Sequence, residues 1–199
     1  MNETEKSLGE LFQAAVRNDR RFAEAVKIAR KNHPSSIWLI GGFLYRTLAI
    51  ELHGSPALAP EVDFDFLVDA PTASLFVPQA CQGWEIVRNE YGNPKYRQGS
   101  FQIDFVPLPS VAHIIRRKVD PTIRNFLTGT PLTIQSLAYD VLGGQITGPI
   151  GIKALFGGKI EVNDPASAAF YSLKKKKPIS QIIQEKAEEL NFTPVHPAE

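Results

Sequence analysis

Residues 62–68, Val-Asp-Phe-Asp-Phe-Leu-Val, constrain this chain more than any other stretch. Val62, Phe64, Phe66 and Val68 alternate with Asp63 and Asp65, which is the two-residue period of a strand with one face in a core. Side chains at i and i+2 of a strand point the same way about 6.5–7 Å apart, so the two carboxylates share a face. Like charges on one face repel, and such a face must open to water or meet a cation. The chain is therefore expected to build a sheet with one apolar and one acidic side.

A second stretch adds to that acidic side. In Phe-Gln-Ile-Asp-Phe-Val-Pro at 101–107, Phe101, Ile103 and Phe105 point one way, leaving Asp104 with Gln102 on the other. Three carboxylates from two strands can bridge two magnesium ions about 3.5–4 Å apart, the arrangement that clamps attacking and leaving oxygens in phosphoryl or nucleotidyl transfer. Asp63, Asp65 and Asp104 are the candidate catalytic and metal-holding residues. Upstream, a β-type apolar run at 37–40 stops at Gly41-Gly42 and passes into a helical pattern over 43–53. Unhindered amides at such a turn, with the N-terminus of the helix behind them, can hold triphosphate oxygens. Gly41 and Gly42 are thus candidates for nucleotide binding. Arg46, one turn into the helix, could reach a phosphate with its forked guanidinium.

Around this centre, apolar periodicity predicts a helix over 7–32, ended by Pro34, and a loop over 54–61 containing Pro56 and Pro60. Two or three antiparallel β-stretches follow over 84–107, turning at Gly92-Asn93-Pro94 and Gly99-Ser100. A helix at 111–118, a short hairpin around Gly143-Gly144, one or two helical turns at 150–156 and a last strand at 160–162 complete the core pattern. Beyond Asp164 the core signal weakens. The four lysines at 174–177 interrupt, and an amphipathic helix at 179–190 precedes a polar end with prolines.

With 199 residues, 43% hydrophobic and 22% charged, the composition is that of one ordinary soluble domain with an appendage. The apolar runs are far below the roughly 18–20 residues that span a bilayer, and the polar start lacks a signal peptide's apolar segment, so a cytoplasmic location and no membrane partner are expected. A net charge of +1 provides no global pull on nucleic acid, so any such binding needs a local patch. Arg116, Arg117, Lys118 and Arg124 offer one that could steer triphosphate or RNA, and the lysines at 174–177 offer another, although charge runs commonly form a solvated face. Cys81 is the lone cysteine, and His33, His53, His113 and His196 lack metal-ligand spacing.

The strings LIGGFLYRTLAIELHG, VDFDFLVD and FQIDFVPL, followed by PLTIQSLAYDVLGGQITGPIGIKALFGGKIEVNDP, resemble the head domain of the polymerase-beta-type nucleotidyltransferases. The similarity is most specific to class II CCA-adding enzymes and bacterial poly(A) polymerases. It covers roughly residues 36–165, leaving an N-terminal helical segment at 1–35 and a C-terminal basic, helical tail at 166–199. It implies an α+β fold with a mixed, mostly antiparallel sheet flanked by helices. It also implies contacts of Gly41 and Gly42 with the triphosphate, two magnesium ions held by Asp63 and Asp65, and Asp104 as third carboxylate. The expected activity is transfer of a nucleoside monophosphate from a nucleoside triphosphate to an acceptor hydroxyl, on an RNA 3′ end, a protein or a small molecule, with release of pyrophosphate. The sequence also departs from the family. Thr47 follows Arg46 where an aspartate is usual, and Gly129-Thr130-Pro131 stands where the family has Arg-Arg-Asp. Tyr171-Ser172-Leu173 and the lysines replace the Asp-Asp-Pro-x-Arg segment. Ordered C-C-A addition is therefore not expected. The alternative is a non-catalytic nucleotide- or RNA-binding module on the same fold.

Overall fold

The Asp/Phe alternation is realised as strand β2 (Asp63–Val68), the central strand of a seven-stranded sheet in a computed structural model that describes residues 3–33, 35–54, 63–72 and 74–196. The predicted helix stop at Pro34, the prolines Pro56 and Pro60, Val62 at the start of the strand and the last residues of the polar end lie outside the described residues. The sheet also contains β1 (Ile37–Ile40), β3 (Glu85–Arg88), β4 (Pro94–Gln98), β5 (Phe101–Pro107), β6 (Ala138–Asp140) and β7 (Ile146–Thr147), in the order β3-β4-β5-β2-β1-β6-β7. Every neighbouring pair is antiparallel except β2 and β5, which run parallel. That is the mixed, mostly antiparallel α+β arrangement expected.

Register decides what each face carries. Asp65 lies opposite Asp104, Asp63 opposite Gln102, Ile40 opposite Asp65 and Lys95 opposite Asp104, so all of these side chains leave the sheet on one side. On the other side Leu39, Phe64, Phe66, Tyr96, Ile103 and Phe105 are buried without measurable exposure. Helices α1 (Glu3–Val16), α2 (Arg20–Asn32) and α3 (Gly42–His53) pack there, with the rings of Phe43 and Phe64 only 4.5 Å apart. The acidic face is itself half apolar. Further along β2 and β5, Leu67 and Leu108 join Val111, Ile114, Phe126 and Leu127 in a second small core, roofed by α4 (Ala112–Arg117) and α5 (Ile123–Leu127).

The single predicted helix over 7–32 is two helices. Asp19 accepts hydrogen bonds from the backbone N–H of Arg21 at 2.8 Å and of Phe22 at 3.1 Å, so it caps α2 and breaks the chain after α1. Helix α6 (Pro149–Gly157) runs over the predicted helical turns, and β8 (Lys159–Ile160) begins one residue before the predicted strand. Residues beyond Asp164 fold onto the same body. Asp164 caps α7 (Pro165–Lys175) through the Ser167 N–H at 2.6 Å, and α8 (Ile179–Leu190) sends Ile182, Ile183, Ala187 and Leu190 into the main core. Strand β9 (Thr193–Pro194) then pairs in parallel with β8. Among the described residues no helix is long and apolar enough to cross a membrane.

Candidate active site

Two of the three candidate carboxylates, Asp65 and Asp104, lie on the floor of a cleft of about 660 Å³. Its floor holds Ile40, Gly41, Asp65, Lys95, Asp104 and Val106. One wall is the roof of the second core, with Val111, His113, Arg116 and Phe126. A second wall is one face of α7, where Ser167, Phe170, Tyr171 and Lys174 recur at helical spacing, and a third is the β3–β4 turn with Asn89, Glu90, Tyr91 and Asn93. Lys174 ties the last two walls together, its Nζ 3.4 Å from a Glu90 carboxylate oxygen and 4.6 Å from the centre of the Tyr91 ring.

Of the six residues singled out from sequence, Gly41, Asp65 and Asp104 line this cleft. Asp63 lies on the same face one position outward and is exposed. Gly41 follows Ile40, the partner of Asp65, so the turn into α3 is laid directly over that carboxyl group. At φ +80 Gly41 occupies a left-handed conformation, and a Cβ there would stand 2.5 Å from Asp65 Oδ2. Only glycine fits this contact. Gly42 faces away, toward Arg46: a Cβ on it would lie 3.1 Å from Arg46 Nη1. The Arg46 guanidinium is engaged by Glu189 of α8, while Lys186 Nζ donates to the Tyr45 hydroxyl at 2.8 Å. The C-terminal helix thus braces the first turn of α3 from behind.

The electrostatics are those of crowded carboxylates. Burial, reinforced by the charges of Asp104 and Asp63, pushes the Asp65 carboxyl up to about 7, against the opposing pull of Lys95 and Lys174. Asp104 is also raised by burial, with Lys95 holding it back by hydrogen bond and charge. The Lys95 ammonium sits 3.1 Å from Asp104 Oδ2 and 2.7 Å from Gln102 Oε1. On the facing wall, burial and the neighbouring charges of Arg117 and Arg116 bring His113 down to about 4, so its imidazole is neutral.

Among the described residues no three carboxylate, imidazole or thiol side chains already converge as a finished cation site. The donor chemistry nevertheless fits magnesium. All three candidates are hard oxygen donors, and an ammonium already fills a cation's place against Asp104.

Two members of the first basic patch, Arg116 and Arg117, are engaged within the fold, while Lys118 and Arg124 are exposed. Arg116 Nη2 bonds Asp164 Oδ1 and Ser167 Oγ, each at 2.8 Å, joining α4 to the start of α7. Arg117 bonds the Asn125 carbonyl and the Thr128 hydroxyl at 3.2 Å. Gly129 lies where a Cβ would meet His113 Cδ2 at 2.3 Å and Arg117 Nη1 at 2.7 Å, so the backbone there is packed too tightly for a long side chain to project from it unaltered. Thr130 is buried and held by Asn163, whose Nδ2 donates to the Thr130 hydroxyl at 3.0 Å. Sequence reasoning missed Lys95, Tyr91, Phe170 and Tyr171. Lys95 could have been found from the same alternation that exposed Asp104, since Lys95 and Arg97 share one face of β4.

No protein-family model matches the sequence, and no curated protein matches it. The backbone does have counterparts. A CCA-adding enzyme in its apo form matches 92% of this chain with a TM-score of 0.60 at 16% identity, over 42% of its own length. The Thermotoga maritima CCA-adding enzyme complexed with tRNA matches 94% of this chain at 0.58 and 18% identity, again over 42% of its length. A tRNA nucleotidyltransferase complexed with a primer tRNA and an incoming ATP analogue matches 86% of this chain at 0.54 and 21% identity, over 46% of its length. The chain therefore spans less than half the length of these structures. At such identities the likeness is one of fold: the cleft is carried on a backbone arrangement shared with these CCA-adding enzymes and this tRNA nucleotidyltransferase.

Proposed function

We propose that this chain is a magnesium-dependent nucleotidyltransferase that moves a nucleoside monophosphate from a nucleoside triphosphate to an acceptor hydroxyl. The observation that carries the reading is the in-register pair of Asp65 and Asp104 on parallel strands, with the Gly41 turn seated on Asp65. An acidic pair held this close, with burial and mutual repulsion opposing its charge, suits a site that receives cations. In this reading the turn above it and the start of α3 would offer backbone amides to phosphate oxygens.

In this reading the acceptor oxygen forms a bond to the α-phosphorus as the bond to the pyrophosphate oxygen breaks, releasing pyrophosphate and the hydroxyl proton. Asp63, Asp65 and Asp104 would hold two magnesium ions, which supply acidity to the acceptor hydroxyl and charge neutralisation on the leaving group. Gly41 admits the triphosphate close to the floor, and Phe170, Tyr171 and Tyr91 offer apolar walls for a base. The acceptor is an RNA 3′ end, a protein hydroxyl or a small molecule. Incubating the chain with each α-labelled nucleoside triphosphate, magnesium and either RNA or protein extract should move label onto one acceptor class with release of pyrophosphate. Tight triphosphate binding without transfer to any acceptor would favour the non-catalytic nucleotide-binding alternative instead.

The turn supplies a prediction of its own. Gly41→Ala should cost about 1–3 kcal/mol of stability from backbone strain alone, and the clash with Asp65 should also weaken triphosphate binding. Gly42→Ala should do less, because its neighbour is the flexible end of Arg46. Thermal melts and calorimetry with a non-hydrolysable triphosphate rank the two. A Gly41→Ala variant that binds as tightly as wild type would remove the turn from the site.

A further inference from the structure

The carboxylate floor contains its own cation, and the proposed chemistry assigns that cation no task. Lys95 projects from β4 opposite Asp104, with a side chain only 20% exposed. Its ammonium is held at two points, by Gln102 Oε1 at 2.7 Å and Asp104 Oδ2 at 3.1 Å, both from the neighbouring strand β5. It contacts Asp104 directly, and its charge acts on both Asp65 and Asp104. The other nearby cation, Lys174, is 46% exposed and already engaged by Glu90 and the Tyr91 ring. A divalent ion that binds Asp104 must therefore share or take over an oxygen that Lys95 holds.

We propose that Lys95 is a built-in counter-ion that competes with the divalent metal for Asp104 and couples metal binding to nucleotide binding. The inference rests on the proposed nucleotidyltransferase reading. Without nucleotide, the ammonium stabilises the acidic pair and lowers its affinity for metal. When a metal displaces it, the ammonium stays anchored through Gln102 at the floor of the same cleft, where it needs a new anion. A triphosphate supplies one. Metal and nucleotide each relieve a conflict that the other leaves open, so the two should bind more tightly together than apart.

The test is calorimetric titration of the full chain with manganese alone, nucleotide alone and both, comparing wild type with Lys95→Met. Methionine keeps the length and apolar stem of lysine, and a matching thermal melt establishes that the variant is folded. Manganese alone should bind Lys95→Met at least about tenfold more tightly than wild type, because a charge a few ångströms from the ion has been removed. The mutual enhancement between manganese and nucleotide should shrink, and Lys95→Arg, which keeps the charge, should stay near wild type. Unchanged or weaker manganese binding by folded Lys95→Met would overturn the proposal while leaving the carboxylate site intact. If neither wild type nor variant binds manganese even with nucleotide present, the nucleotidyltransferase reading fails and the Lys95 proposal fails with it.

Discussion

Asp65→Ala and Asp104→Ala should each lower nucleotidyl transfer at least about 10³-fold while leaving a folded protein. A cation clamp on a phosphoryl group contributes several kcal/mol to the transition state, and about 4 kcal/mol corresponds to a thousandfold in rate. The fold should survive because the sheet's main core lies on the opposite face, in Phe64, Phe66, Ile103 and Phe105, and neither carboxylate contributes to it. Asp65→Ala also removes like-charge repulsion. Lys95 loses a partner in Asp104→Ala but keeps Gln102. Single-turnover transfer of an α-labelled triphosphate, read together with thermal melts, separates the two effects. Variants that retain wild-type transfer, or that both unfold, would contradict the assignment.

The second large effect is a change in how stability depends on pH in metal-free protein. An unfolded chain releases the Asp65 proton near 3.9, whereas the folded protein holds it to about 7. Between those values the folded state carries the extra proton, so this group makes stability fall as pH rises through about 4 to 7. The loss is complete above that window. His113 acts in the opposite sense. Its folded value of about 4 lies below the ordinary 6.5, so the unfolded state carries the extra proton and stability rises with pH over about 4 to 6.5. The two contributions largely offset each other in wild type. Asp65→Asn removes the first and uncovers the second. Chemical denaturation in the presence of a chelator should therefore show the variant more stable than wild type by on the order of 2–4 kcal/mol at pH 7.5, with the difference vanishing near pH 4. A difference independent of pH would mean that Asp65 titrates normally.

The sequence revealed the sheet and its acidic face because both rest on strict local alternation, which a strand converts directly into faces. The turn at Gly41 was legible for the same reason, since a β-type run that halts at two glycines and resumes as a helix leaves little freedom. What could not be read was distance in the third dimension. Alternation places Asp63 and Asp65 on one side of β2, but only the parallel pairing with β5 sets Asp104 directly beside Asp65. Helix α7 gave a weak signal because its large apolar residues are not in a core: Phe170 lines the cleft at 46% exposure and Leu173 is 78% exposed. For the same reason the cleft wall that it forms was missed. The two-helix start was disguised because the apolar spacing resumes across the break at Asp19, and only the cap geometry shows the chain turning there. Arg46 was legible as a residue one turn into α3, but its engagement by Glu189 depends on α8 returning to the turn from more than a hundred residues away.

The most direct test of the carboxylate assignment is crystallographic. Crystals of the full chain grown with manganese and a non-hydrolysable nucleoside triphosphate should show anomalous density against Asp65 and Asp104, with Asp63 drawn in, and the phosphates should lie under the Gly41 turn. Triphosphate bound elsewhere, or no anomalous density at these carboxylates under conditions where nucleotide is bound, would contradict the account.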